Sequence, residues 1–410
     1  MKLPLLVPMH QQFDSTEIDN LEAELSNKLR ASLLKNPPKK GGTVAIGVGS
    51  RGVSPIQRVV KTVIKTLKEE GLEPFIVPAM GSHGGGTAEG QRDVLLDYGI
   101  TPDEVGAEIR ATMDTVVLGE TPEGTEVHID SNAYDADHII PIGRVKLHTG
   151  MSGDIQSGLC KILSIGLGKR SGAERVHEGG IETQVEAASR VMLASGKILC
   201  GVGLVENAYD RCAYVEIPTP ENYIESDKSL LKKAKDLFPR IPTDHLHLLI
   251  VDEMGKNISG AGMDTNIIGK WRRIGGPKIP MYELITVLRL TDASHGNASG
   301  IGNATFTTKQ FVEQTNWHDT YVNGLTALVP DAVKTPVVLG SEQECIEKSI
   351  EIASRLSKNN PRIVRIKNTM ELSEFWATEN VAEELTTAGL ATATGNPLPI
   401  PFDASGALTN

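Results

Sequence analysis

Cysteine, aromatic residues, net positive charge and long apolar runs are all scarce in this 410-residue chain, and each shortage excludes something. The four cysteines, Cys160, Cys200, Cys212 and Cys345, lie far apart with no C-x-x-C pair. They fit neither a disulfide framework nor a thiolate metal site, so a reducing, cytoplasmic setting is expected. Aromatic residues make up 4% of the chain, too few to line a stacking pocket for an aryl ligand, although Trp271 stands beside Arg272. The formal net charge is −11, spread along the sequence, whereas a nucleic-acid partner would want a basic face. A small anion held by a few local cations is compatible with that balance. No apolar run approaches the roughly 18 residues of a membrane span. The opening stretch Met1–His10, broken by Pro4 and Pro8, has too short an apolar run for a signal peptide.

What is present is a 40% hydrophobic content, enough for two buried cores. Short apolar runs alternate with helical patterns. Asp14-Ser-Thr-Glu17 predicts a helix start feeding an amphipathic segment to about Leu34. A buried strand is expected from Thr43, then a helix over 55–70 with Pro55 in its first turn. That helix gathers Val59, Val60, Val63, Ile64 and Leu67 on one face and stops at Gly71. The strand Glu73–Pro78, a glycine loop and a helix over 87–98 follow. Strand, helix and strand at this spacing mean a parallel sheet with crossover helices. Further strands are expected near 137–142 and 197–205, with helices over 181–195 and 227–238. Pro239-Arg-Ile-Pro-Thr-Asp244 is a breaker-rich linker. A second α/β unit begins at His245, with strands near 282–290, 336–339 and 362–366 and helices near 308–315, 342–357 and 373–388. The predicted class is α/β, with two domains (1–241 and 242–394), largely parallel sheets, and 395–410 as a strap or tail.

Three stretches carry chemistry. Gly47-Val-Gly-Ser-Arg-Gly52 matches G-x-G-x-x-G between a strand and a helix, but the next strand ends in Val77-Pro-Ala-Met80, without the acid a dinucleotide ribose needs. A phosphate or carboxylate on the helix N-terminus, helped by Arg51, is one use; a tight turn with a solvated arginine is the other. Gly81-Ser-His83-Gly-Gly-Gly86 puts a histidine at a strand's carboxyl end, where open α/β sheets bind ligands. The stretch from Arg144 to His177 sets His148, Lys161 and His177 among glycine, serine and small apolar residues. Imidazoles suit proton transfer and metal ligation, and an amine can carry a covalent adduct or a charge. Lys169, Arg170 and Arg175 form a local basic patch, fit for phosphate or carboxylate or simply a solvated face. No acidic partner stands at ligand spacing and no H-E-x-x-H exists, which argues against a zinc hydrolase. His128, His138, His245, His247 and His318 have no companions and read as structural.

Taken in order, Ser50-Arg51, Gly81-Ser-His83, His148, Lys161-Ile-Leu163 and His177 resemble the nickel-pincer lactate racemase family, over most of the chain. Gly262-Met-Asp264-Thr-Asn266 resembles a second-domain segment of that family less closely. The resemblance implies a site in the interdomain cleft. It implies a nickel-pincer nucleotide, a pyridinium mononucleotide with sulfur arms around nickel, tethered to Lys161 or held without a covalent link. Ser50, Arg51 and Lys169 would contact this cofactor, His177 would complete the nickel coordination, and Arg51 and Arg272 would hold the substrate. The histidines at 83 and 148 would alternate as base and acid on the substrate hydroxyl while the α-hydrogen leaves as hydride and returns to the other face. Lys146 is the alternative to His148, because the segment from 148 to 161 is longer than in the lactate racemases. Gly269 and Arg272 stand where the family has glutamine and lysine, which points away from lactate and towards a longer or second carboxylate, or a polyhydroxy acid. The implied partners are a 2-hydroxy acid and the proteins that make the cofactor, with neither nucleic acid nor membrane. An NAD-linked 2-hydroxy acid dehydrogenase and a non-catalytic α/β protein binding an anionic metabolite are the competing readings.

Overall fold

Apolar runs and amphipathic helices alternate to give two α/β units in a computed structural model that describes residues 3–49, 54–270 and 279–409. The first strand, β1 (Leu6–His10), belongs to the unit completed later in the chain. Residues Asp14–Phe238 form the other. Its sheet contains β2 (Thr43–Val48) and β3 (Glu73–Pro78). The hairpin β4 (Thr115–Glu120) and β5 (Glu126–Asp130) stands apart as a two-stranded sheet. β6 (His138–Arg144), β7 (Val202–Glu206) and β8 (Cys212–Glu216) complete the order β3-β2-β6-β7-β8. All pairings in this sheet are parallel except β7 with β8. The carboxyl ends of β2, β3, β6 and β7 therefore share one edge.

Both faces of this sheet are covered, which explains why its strands read as continuous apolar runs. Val44, Ile46 and Val48 point into one core with the helices Leu21–Lys35 and Ile56–Glu69, while Ala45 points into the other with Leu163, Val185 and Met192. On helix Ile56–Glu69, Val59, Val60, Val63, Ile64 and Leu67 are all buried. Each such side chain contributes about 2 kcal/mol of transfer free energy. The first helix starts later than expected: Asn20, not Asp14, caps it by accepting from the Ala23 N–H. Asp14 accepts from the Thr16 N–H in a turn of its own.

The second unit joins Met1–Phe13 to Pro239–Asn410. Its strands are β9 (His245–Met254), β10 (Met281–Leu290), β11 (Phe306–Thr308), β12 (Val337–Leu339), β13 (Ile363–Ile366), β14 (Glu374–Thr378) and β15 (Thr392–Ala393). The sheet order is β12-β11-β10-β9-β13-β14-β1-β15, parallel from β12 to β13 and antiparallel beyond. The opening residues, expected in the first domain, thus lie in the second unit, where Leu6, Val7 and Met9 are buried. The helix expected over 373–388 is strand β14 followed by the helix Glu379–Thr387. Phe375 and Ala377 alternate inward there, and cross-strand pairing with β1 and β13 overrides helical propensity. Beyond 395 the chain packs as part of the core, with Leu398 bridging to Leu6 and Ile400 and Leu408 buried. Among the described residues, no helix is long and apolar enough to cross a membrane.

Candidate functional site

The carboxyl ends of β2, β3 and β6 meet one short segment, a helical turn Leu159–Lys161 running into a wider turn Ile162–Gly166. A Cβ built on Gly49 or Gly143 would lie 2.7 or 2.9 Å from the Ile162 side chain, so both strand ends close on that residue. The Gly81 N–H donates to the Gly166 carbonyl at 3.1 Å, closing the β3 end onto the same segment. Lys161 is half-buried here. Its turn is held from below by Asp227 on helix Tyr223–Asp236, whose carboxylate accepts the Leu159 N–H at 2.9 Å and the Cys160 N–H at 3.0 Å. Burial pushes the Asp227 carboxyl up, and those two N–H bonds oppose the shift. Residue 158 is glycine because a Cβ there would meet Asp227 Oδ1 at 2.2 Å. Asp227 is absent from the sequence candidates; its one signal was an acid on the buried face of an amphipathic helix.

His177 is exposed near the end of helix Lys169–Glu178. Its Nδ1–H donates to the Ala173 carbonyl at 2.6 Å, which leaves the lone pair on Nε2. His83 is exposed on the loop after β3, where Gly84, Gly85 and Gly86 take φ of 63°, 67° and 66°. Three consecutive left-handed residues require glycine. This loop lies against the His177 helix and the turn before it: a Cβ built on Gly81 would lie 3.6 Å from Ala173 and 3.0 Å from Ile165, and one built on Gly86 would lie 3.6 Å from Arg170.

His148 is half-buried on a loop closed by the pairing of Lys146 with Ser157. Its backbone N–H donates to Gln156 Oε1 at 2.7 Å, and its Nδ1 accepts the Gly150 N–H at 3.1 Å. A neutral ring so held carries its proton on Nε2. The same loop is anchored by Glu182, which accepts the Ser152 N–H at 2.6 Å. Glu182 opens helix Ile181–Ala194, directly after the helix of His177. The segments bearing His83, His148, Lys161 and His177 are thereby joined by contacts or hydrogen bonds into one region of the first unit.

Lys169 corrects the expectation of a basic, cofactor-facing patch. It is fully buried, ion-paired with Asp130 at 2.9 Å, and donates to the Pro78 carbonyl and to Gln91 Oε1. Its ammonium is fully buried among these three partners, away from any nucleotide. Burial pushes the Lys169 amine down and the Asp130 carboxyl up, each opposed by the other's charge. Arg170 and Arg175 are exposed and pair with Glu174 and Glu178. The helix N-terminus behind the G-x-G-x-x-G turn already has an anion: Glu206 accepts the Ser54 N–H at 2.7 Å and pairs with Arg144 at 2.6 Å. Ser50, Arg51, Trp271 and Arg272 lie outside the described residues.

In the second unit, Asp264 Oδ1 accepts from the backbone and side chain of Asn266 and caps the short turn Thr265–Ile268. His245, His247 and Glu283 come close enough to suggest a metal site. However, His247 Nδ1 accepts the Arg362 N–H at 3.0 Å, which puts the ring proton on Nε2, and His245 is engaged with Glu283 at 3.1 Å. That bonding pattern withdraws His247 as a donor and leaves too few ligands.

Residues 3–188 match the family model described as the lactate racemase N-terminal domain. Over this segment the chain is similar to the N-terminal domain of the lactate racemases. The span shared with the lactate racemases contains β2, β3 and β6 together with His83, His148, Lys161 and His177. No curated protein matches the chain. Among solved structures, the lactate racemase apoprotein from Thermoanaerobacterium thermosaccharolyticum has 10% identity, a TM-score of 0.49, and coverage of 90% of this chain and 99% of that one.

Proposed function

We propose that the chain is a racemase or epimerase of a 2-hydroxy acid that works with a nickel-pincer nucleotide. The match of residues 3–188 to the lactate racemase N-terminal domain supports an isomerase of the racemase type. The observation that carries the finer reading is His177: an imidazole whose Nδ1–H is spent on a carbonyl offers Nε2 to a metal, the arrangement found around metal-ligating histidines. Lys161, on a turn fixed by a buried carboxylate, is assigned the covalent link to the nucleotide. When bound, the cofactor supplies a site that accepts and returns a hydride. The chain's own part is proton handling. His83 and His148 hold and move the hydroxyl proton of the substrate, His148 through the Nε2 that carries its proton in the neutral ring. Arg51 and Arg272 are assigned to the carboxylate end, and Ser50 to the cofactor. The proteins that build the nucleotide are the expected partners, and the cytoplasm the expected setting.

The test is protein made in a host that synthesises the cofactor, analysed for nickel and intact mass and assayed against a panel of 2-hydroxy acids by chiral chromatography in heavy water. Inversion with the α-hydrogen retained is expected. Inversion accompanied by deuterium uptake at that carbon, or NADH binding without nickel, would overturn the proposal.

A further inference from the structure

Gln91 is fully buried on helix Ala88–Asp97, and both ends of its amide are used. Its Nε2 donates to the carbonyl of Gly81 at 2.7 Å and to that of His83 at 3.3 Å. Its Oε1 accepts from Lys169 Nζ at 3.1 Å. Lys169 also binds the Pro78 carbonyl, the last residue of β3, and Asp130, the last residue of β5. One ammonium thus ties the root of the His83 loop, the loop itself through Gln91, and the first residue of the helix that carries His177.

Two features show that this network does more than fill space. Buried charge pairs are poor sources of stability compared with apolar residues of similar volume. Lys169 also adopts φ of 54°, a left-handed conformation that costs a non-glycine residue about 1–2 kcal/mol. Such strain persists where the surroundings over-determine it, and it clusters at working sites. Here the Lys169 ammonium and both ends of the Gln91 amide are held by buried partners, which restricts the arrangement.

We infer that Gln91 and Lys169 are positioning residues that set the His83 loop against the helix of His177. The inference rests on the proton-transfer reading of His83 given above. Gln91 acts only through the backbone carbonyls that it holds.

Gln91→Met keeps the volume and removes both donors. In unloaded protein, hydrogen exchange at the Gly81 amide, which donates to the Gly166 carbonyl, should speed up about fivefold, the factor that one lost hydrogen bond gives in a local opening equilibrium. Exchange in helix Glu342–Leu356 of the other unit should be unchanged. In loaded enzyme kcat should fall about a hundredfold, as for a small misplacement of a reacting group, with KM and nickel content unchanged. A wild-type exchange rate and a wild-type kcat in a folded variant would overturn the inference. Should Q91M fail to fold, Q91E, which keeps an acceptor for Lys169 and loses the donors to the two carbonyls, decides by the same two measurements. The exchange rate reads the loop whatever the reaction is. Full turnover by H83A would instead remove the functional reading and leave the loop result standing.

Discussion

His177 gives its Nδ1 proton to the carbonyl of Ala173, one turn earlier in the same helix. The ring is thereby fixed in tautomer and orientation by backbone alone, before any metal arrives. His177→Ala should abolish nickel retention with the fold intact, checked by elemental analysis and thermal unfolding. Full nickel content in that variant would move the ligand elsewhere.

Lys161 sits on a turn whose two leading N–H groups are both bound by Asp227. Protein from a cofactor-competent host should show added mass on the peptide containing Lys161, and Lys161→Ala should not. An unmodified Lys161 in active, nickel-loaded enzyme would show that the nucleotide is held without a covalent bond.

For the proton-transfer pair, His83→Ala and His148→Ala should each keep the cofactor and lose about 10²–10⁴ in rate, the usual contribution of one general acid or base. If Lys146→Ala shows that loss while H148A does not, the second role belongs to Lys146.

Removing the buried acid beneath the turn should be costly. Asp227→Ala leaves two buried N–H groups without an acceptor, and about 2–5 kcal/mol of stability should go with them, read from denaturant unfolding. Asp227→Asn, which retains one acceptor oxygen, should fall between wild type and D227A.

Asp137 supplies a pH prediction. The Lys39 ammonium, with the Thr43 N–H, holds its carboxyl down to about 2 from the usual 3.8. Because the folded value is the lower one, the stabilisation is complete above pH 3.8 and is lost as pH falls through about 2. Asp137→Asn should therefore show a shallower loss of stability over that acid interval. An unchanged acid limb would mean that the contact persists in the unfolded chain.

Much of this architecture is legible in the sequence wherever periodicity is strong and local. The helix Ile56–Glu69 and the strands β2 and β3 follow from spacing, and His83 falls on the loop that follows β3. What escapes is long-range. β14 reads as helix until β1, more than 360 residues away, is set beside it. Lys169 reads as part of a cofactor-facing basic patch beside Arg170, since no local pattern reveals a left-handed φ that turns its side chain inward. Gln91 and Asp227 are ordinary polar residues on amphipathic helices, and partners that include ones 78 and 67 or 68 positions away give them meaning.

Strand β1 lies between β14 and β15, so residues 6–10 wait for partners more than 360 positions further along. During synthesis Leu6, Val7 and Met9 have no partner strand until the ribosome has passed residue 378, and the second unit is a sheet with an open seam until then. Contacts of this sequence separation form late and slowly. A nascent chain stalled between β8 and β14 would hold a complete set of strands for the Asp14–Phe238 sheet and an apolar thread with nowhere to dock.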